Sequence, residues 1–288
     1  MQLGPNYETQ KRPGDVKRRL VFVLSQKSAP VFGSVDFGAP VIDVWERKTS
    51  YYTLRSDNAV KAIADSLPKG VAEVCFVGCS KAGYGALLWG TLLAGMVPSL
   101  RVSALAFSPQ TRLYPRNPNI SFPSYLKLVS GAEVNEKTRR WLEKRGTLPP
   151  FKPNFHAHVI YPAFVESDRT EAERLTSPSV KLTALPLSCH TTIIPFVSDM
   201  TNVETVKAKV AALRGASSKD ADVSSFINGV PEEQLVREYH ALKRTPSVAE
   251  LVGKTFAGRL PSNRIIVAWQ SVKRRLWPMI KTVRSALN

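Results

Sequence analysis

The stretch Val77-Gly78-Cys79-Ser80-Lys81-Ala82-Gly83-Tyr84-Gly85-Ala86 decides how this chain is read. The residues leading into it, Val71-Ala72-Glu73-Val74-Cys75-Phe76-Val77-Gly78, form a nearly continuous apolar run, the pattern of a strand buried on both faces of a sheet. Residues 82–94 follow, rich in Ala, Leu and Gly and long enough for a helix. A serine on a tight strand-to-helix turn is held in a strained backbone conformation, so its hydroxyl projects from the sheet edge. Small neighbours are needed because the turn brings the two backbones together. Gly78 stands two residues before Ser80, Ala82 two residues after it and Gly83 one further, giving G-x-S-x-x-G. At the start of the helix, the Lys81 N–H is available to a developing oxyanion. Two plainer readings share the stretch: a glycine-rich turn with a capping serine, and a phosphate-binding turn. A Walker A loop is excluded because no G-K-[ST] follows, and the G-x-G-x-x-G dinucleotide fingerprint is absent.

Working outward, residues 19–25, 40–45, 102–108 and 156–162 read as further strands, with 180–185 as an edge-like one. Helical spacing occupies 56–67, 135–144, 169–175 and 203–213. Strands alternating with helices predict an α/β fold, a mostly parallel sheet flanked by helices. Between 109 and 153 the pattern loosens and Pro and Arg accumulate. Residues 215–220 read as a linker and everything beyond as helical, which predicts a catalytic domain over 1–215 and a basic helical C-terminal appendage over 220–288.

A serine nucleophile on such a sheet needs an acid and then a histidine, each on a loop after a later strand. After Tyr161 comes Pro162-Ala163-Phe164-Val165-Glu166-Ser167-Asp168, offering Asp168 with Glu166 as competitor. After the next strand comes Pro186-Leu187-Ser188-Cys189-His190, so the order is Ser80, Asp168, His190.

These residues resemble the α/β-hydrolase superfamily over about residues 19–214, and within it the serine-esterase-like proteins with a G-x-S-K-x-G-Y-x-A elbow, some associated with bacterial polysaccharide or glycoprotein acylation. The likeness extends to Ser108-Pro109-Gln110-Thr111, Ser167-Asp168-Arg169 and Cys189-His190. It departs from the usual pattern at Ala82, where glycine is customary. The resemblance implies Ser80 as nucleophile, His190 as general base and then acid, and Asp168 as the group orienting His190. It implies an oxyanion hole built from the Lys81 N–H and a second N–H near Ser25 or Gln26. The expected activity is acyl-ester hydrolysis through an acyl-serine intermediate, with no cofactor and no metal. Acyl transfer by the same triad is the first alternative, and a non-catalytic scaffold of the same fold the second.

Composition narrows the partners. The 288 residues are 43% hydrophobic and 22% charged, which excludes a disordered chain or a fibre. No stretch approaches the roughly 20 apolar residues of a membrane span, the N-terminus lacks a signal-like apolar region, and three cysteines without a CxxC pair form no disulfide framework. The expected compartment is the cytosol. Forty Lys and Arg against 23 Asp and Glu leave a net charge of +17, so polyanions are attracted. No acidic residue follows Glu250, while eight basic ones do. Within 264–288, Ile265, Trp269, Val272, Leu276, Ile280, Val283 and Leu287 recur at helical steps opposite a basic face. This segment suits either packing on its own domain or peripheral contact with an anionic membrane at its inner face. The expected partners are an acyl-ester substrate and an anionic polysaccharide or glycolipid. Nucleic acid is not expected, since no reader motif accompanies the charge. His156 and His158 alternate along one strand without companion ligands and read as structural rather than metal-binding.

Overall fold

The computed structural model describes residues 1–25, 32–227 and 229–256. Seven strands form one sheet: β1 (Tyr7–Arg12), β2 (Arg19–Ser25), β3 (Val41–Glu46), β4 (Glu73–Cys79), β5 (Arg101–Phe107), β6 (Phe155–Pro162) and β7 (Val180–Leu185). Their order is β1-β3-β2-β4-β5-β6-β7, with β1 antiparallel to β3 and every other pair parallel. The helices are α1 (Ser56–Asp65), α2 (Lys81–Met96), α3 (Pro123–Val134), α4 (Glu136–Arg145), α5 (Glu166–Glu173), α6 (Ile194–Val197), α7 (Val203–Ser217), α8 (Ala221–Ile227), α9 (Glu232–Ala241) and α10 (Val248–Phe256).

The apolar strands sort their side chains by alternation onto two faces. Leu20, Phe22 and Leu24 of β2, Val74 and Phe76 of β4, and Val102, Ala104 and Ala106 of β5 meet α1 to α5 in one core. Val21 and Val23, Cys75 and Val77, and Leu105 and Phe107 enter the other, with Val206 and Val210 of α7, Leu235 and Tyr239 of α9, and Leu251, Val252 and Phe256 of α10. The helices after residue 220 are therefore packed on the sheet as far as residue 256. The stretch read as a linker is helical in its first half, because α7 runs through Gly215 to Ser217, and only three residues separate it from the start of α8 at Ala221. Residues 264–288, with their amphipathic pattern, lie outside the described residues. No described helix is long and apolar enough to cross a membrane.

Two elements escaped the sequence reading. Strand β1, YETQKR, is polar because it is an edge strand, its Arg12 bound to buried Asp43 of β3 at 2.7 Å. Helix α3 carries Ser, Gly and a first-turn Pro that blur its periodicity.

The sheet turns back on itself between β2 and β4. From β2 the chain moves outward to β3, then returns to place β4 on the other side of β2. At such a switch the loops leave the carboxyl ends of adjacent strands in opposite directions and open a crevice. Ser25 ends β2 and Cys79 ends β4 at this point.

Packing of α2 against the sheet is tight enough to dictate residue type. A Cβ on Gly85 would lie 2.6–2.8 Å from the Cβ, Cγ and Cδ2 atoms of Tyr52, whose hydroxyl donates to the carbonyls of Ser25 (2.6 Å) and Val44 (2.9 Å). Those two bonds anchor the ring, so it has little room to yield. Gly85→Ala is expected to destabilise the fold by about 1–3 kcal/mol, read as a lower urea midpoint.

His158 of β6 is buried, with its Nε2 2.9 Å from Thr183 Oγ1. Burial, aided by the nearby Lys181 charge, pushes its pKa down from 6.5 to about 3. The unfolded chain takes up this proton below about pH 6.5 and the folded one only near pH 3, so stability falls as pH drops through that interval. Urea midpoints between pH 7 and pH 4 should fall, and less steeply in His158→Gln.

Candidate active site

Ser80 sits between β4 and α2 with φ 55° and ψ −123°, a conformation rarely adopted by an L-residue. Its N–H donates to the Phe107 carbonyl of β5 at 2.8 Å, and its own carbonyl accepts from the N–H groups of Gly83 (2.8 Å) and Tyr84 (3.2 Å). The turn is possible because Gly78 has no side chain: a Cβ there would lie 2.1 Å from the Ala82 carbonyl oxygen. Ala82, at the customary glycine position, fits with its methyl group buried.

The residues read from sequence converge. Ser80 Oγ lies 2.8 Å from His190 Nε2, and His190 Nδ1 lies 2.8 and 2.9 Å from the two Asp168 carboxylate oxygens. A carboxylate only accepts, so Nδ1 carries the proton and Nε2 is left to accept from the Ser80 hydroxyl. Asp168 is not on a loop, as expected, but in the first turn of α5, where Glu166 points outward and is exposed. That helix is tied down by buried Glu171. Its carboxylate accepts from Thr111 N–H (2.9 Å) and Asn117 Nδ2 (2.8 Å), and its carbonyl from the Thr111 hydroxyl (2.8 Å).

The His190 loop is held from several sides that the sequence did not disclose. Ser108, at φ 43°, donates its hydroxyl to the His190 carbonyl at 2.7 Å, while the His190 N–H donates to the Phe226 carbonyl at 3.0 Å. Phe226 of α8 and Phe122 flank the imidazole, with ring centroids at 4.6 and 4.9 Å. Tyr239 of α9 bonds the Thr191 hydroxyl (2.6 Å) and lies 3.0 Å from Cys189 Sγ. Only the Ser108-Pro109-Gln110-Thr111 segment carried a sequence signal for this support.

The oxyanion side is partly described. Lys81 opens α2, and the first N–H groups of a helix have no intrahelical acceptor. Ser25 ends β2 with its hydroxyl buried and without a hydrogen-bond partner among the described residues. Gln26 lies outside the described residues. Burial, with the Asp168 charge, pushes the Cys79 thiol up to about 12, and burial likewise raises that of Cys189. Both therefore stay protonated near neutral pH. Among the described residues no group of three or more His, Cys, Asp or Glu is placed to hold a metal. A groove lined by Val35, Phe196, Met200, Leu242 and Val248 holds none of Ser80, Asp168 and His190.

The strand order, with serine after β4, acid after β6 and histidine after β7, is that of the α/β-hydrolase fold. No protein-family model matches the chain, and no curated protein matches it. Among solved structures it is similar to an esterase of Pyrobaculum calidifontis (18% identity, 62% of this chain and 70% of that one, TM-score 0.45). It is also similar to an arylesterase (13%, 63% and 76%, 0.43). A third is a capsule O-acetyltransferase of Neisseria meningitidis serogroup A (14%, 62% and 81%, 0.40).

The elbow makes its own prediction. With a backbone carbonyl 2.1 Å from the position of the new Cβ, Gly78→Ala must open the turn. Stability should fall by at least about 1–3 kcal/mol in urea unfolding.

Proposed function

We propose that the protein is a serine hydrolase acting on acyl esters through an acyl-serine intermediate. The observation that carries this reading is the continuous hydrogen-bonded chain from Ser80 Oγ through His190 to Asp168, on a serine held at positive φ. His190 Nε2 takes the Ser80 proton as Oγ attacks the acyl carbonyl. Asp168 keeps the proton on Nδ1 and stabilises the imidazolium that forms. The Lys81 N–H donates to the oxyanion, with the second donor at Ser25 or Gln26. Each such donor contributes roughly 3–4 kcal/mol at the transition state. His190 then returns the proton to the leaving alkoxide. In the second half it takes one from water, which attacks the acyl carbon, and passes it to Ser80 Oγ as the acyl–oxygen bond breaks. We take the catalytic unit to run on from 1–215 through residue 256, because α8 supplies a wall of the site and α9 supports the His190 loop. The surplus of positive charge supports an anionic polysaccharide or glycolipid as the ester's carrier, met in the cytosol or at the inner membrane face.

One observation favours acyl transfer as a second reading. Ser80, Asp168 and His190 are only 3–4% exposed, and a cover that closes again over an acyl-serine with a bound acceptor disfavours water. The acceptor is then a sugar hydroxyl, which attacks the same acyl-serine.

A fluorophosphonate probe should label wild type at Ser80, and Ser80→Ala and His190→Ala, folded by circular dichroism, should not label. Asp168→Asn should cut ester turnover about 10³–10⁴-fold, because the imidazole is left in the wrong tautomer. An unlabelled, folded wild type sinks the proposal.

A further inference from the structure

The lysine beside the nucleophile holds a carboxylate. Lys81 Nζ lies 3.3 Å from Oδ2 of Asp222, a residue 141 positions further on, in α8. The other oxygen, Oδ1, accepts from the Ser124 N–H at the start of α3 at 2.9 Å. Both side chains of the ion pair are 13% exposed, so solvent does little to screen it. One turn further along the same helix, Phe226 presses on the His190 ring and accepts the His190 N–H. Asp222 and Phe226 thus pin α8 against Lys81 and His190, the two neighbours of a serine that is 4% exposed. The Lys81 charge also acts on buried Glu46, but the oxygens of that carboxyl are occupied by the N–H groups of Ser50 and Tyr52 and by the Ser50 hydroxyl.

At 4% exposure Ser80 needs some of its surroundings to move before an ester reaches Oγ, and α8, packed on the His190 ring, is the piece held by an ion pair. Lifting α8 removes the only carboxylate among the described residues hydrogen-bonded to Lys81 Nζ, and a half-buried cation without a partner is costly. A neutral ester leaves that cost standing, whereas an ester with its own anionic group cancels it by replacing Asp222. We propose that Asp222 is an internal occupant of an anion subsite made by Lys81 Nζ and the Ser124 N–H, and that the substrate is an ester carrying a carboxylate or phosphate that displaces it. The inference rests on the acyl-serine reading above and adds to it a charge requirement on the substrate and a self-closing helix.

Two substitutions break the pair from opposite sides. Asp222→Asn unlatches α8 and keeps the cation; Lys81→Met unlatches it and removes the cation. Labelling of Ser80 by a neutral fluorophosphonate should speed up in both, by about tenfold, the response to some 1.4 kcal/mol lost from the closed state. Hydrolysis of mono(4-nitrophenyl) succinate is then compared with that of 4-nitrophenyl acetate, as a ratio of kcat/KM corrected for their alkaline rates. That ratio should favour the anionic ester in wild type, hold or rise in Asp222→Asn, and drop about tenfold in Lys81→Met, one ion pair's worth of discrimination. Unchanged labelling in Asp222→Asn, or a ratio indifferent to Lys81→Met, overturns the proposal while leaving the acyl-serine reading intact. Absence of Ser80 labelling in wild type and both variants, all folded, overturns that reading and this one with it.

Discussion

The whole site hangs on one contact distance, that between Gly78 and the Ala82 carbonyl. Because no side chain separates them, the chain leaves β4 and enters α2 within a single residue, and that residue is left at positive φ. Such a conformation costs of order 1–3 kcal/mol and persists only where the surroundings over-determine it. Here they do: the Ser80 N–H is locked to β5 and its carbonyl to the first turn of α2. The same geometry turns the hydroxyl to His190 and leaves the first amides of α2 open to an incoming oxygen. Strain at one position is thus exchanged for a serine hydroxyl and open amides already held in the arrangement that the proposed ester chemistry needs.

The sheet supplies the rest by topology. The reversal between β2 and β4 brings Ser25 to the crevice, while the loop after β5, the first turn of α5 after β6 and the loop after β7 deliver Ser108, Asp168 and His190 in spatial order. The buried Glu171 fastens the β5 loop to the helix that carries Asp168, so the acid and the histidine's support move as one body. This is a rigid arrangement on three sides. The fourth side is α8, a seven-residue helix held by an ion pair and aromatic packing.

Much of this was legible in the sequence, for reasons that also say why the remainder was not. The strands through Val23, Val77 and Leu105 are buried on both faces, so their composition alone betrays them. Polar β1 is bonded along one side only and looks like a loop. Ser80, Asp168 and His190 follow from chain order, since the topology fixes which loops can meet. Sequence left Asp168 and Glu166 as rivals, and helical geometry separates them: two positions apart in α5, one faces inward and the other solvent. Asp222 and Phe226 carry no local pattern, and the Ser108-Pro109-Gln110-Thr111 segment marks Ser108 without saying what it holds. Their meaning comes from contacts with residues 98 to 141, 104 and 82 positions away, which no window of sequence reveals.

The placement of α7 to α10 has a consequence for how the protein is made. Every described strand and every residue of the Ser80–His190–Asp168 chain has been synthesised by residue 190, but one face of the sheet still lacks its helices then. Val21, Val23, Val77, Leu105 and Phe107 wait for Leu235, Tyr239, Leu251, Val252 and Phe256. A nascent chain at this stage presents a broad, greasy β-surface at the ribosome, the kind of species that aggregates or recruits chaperones.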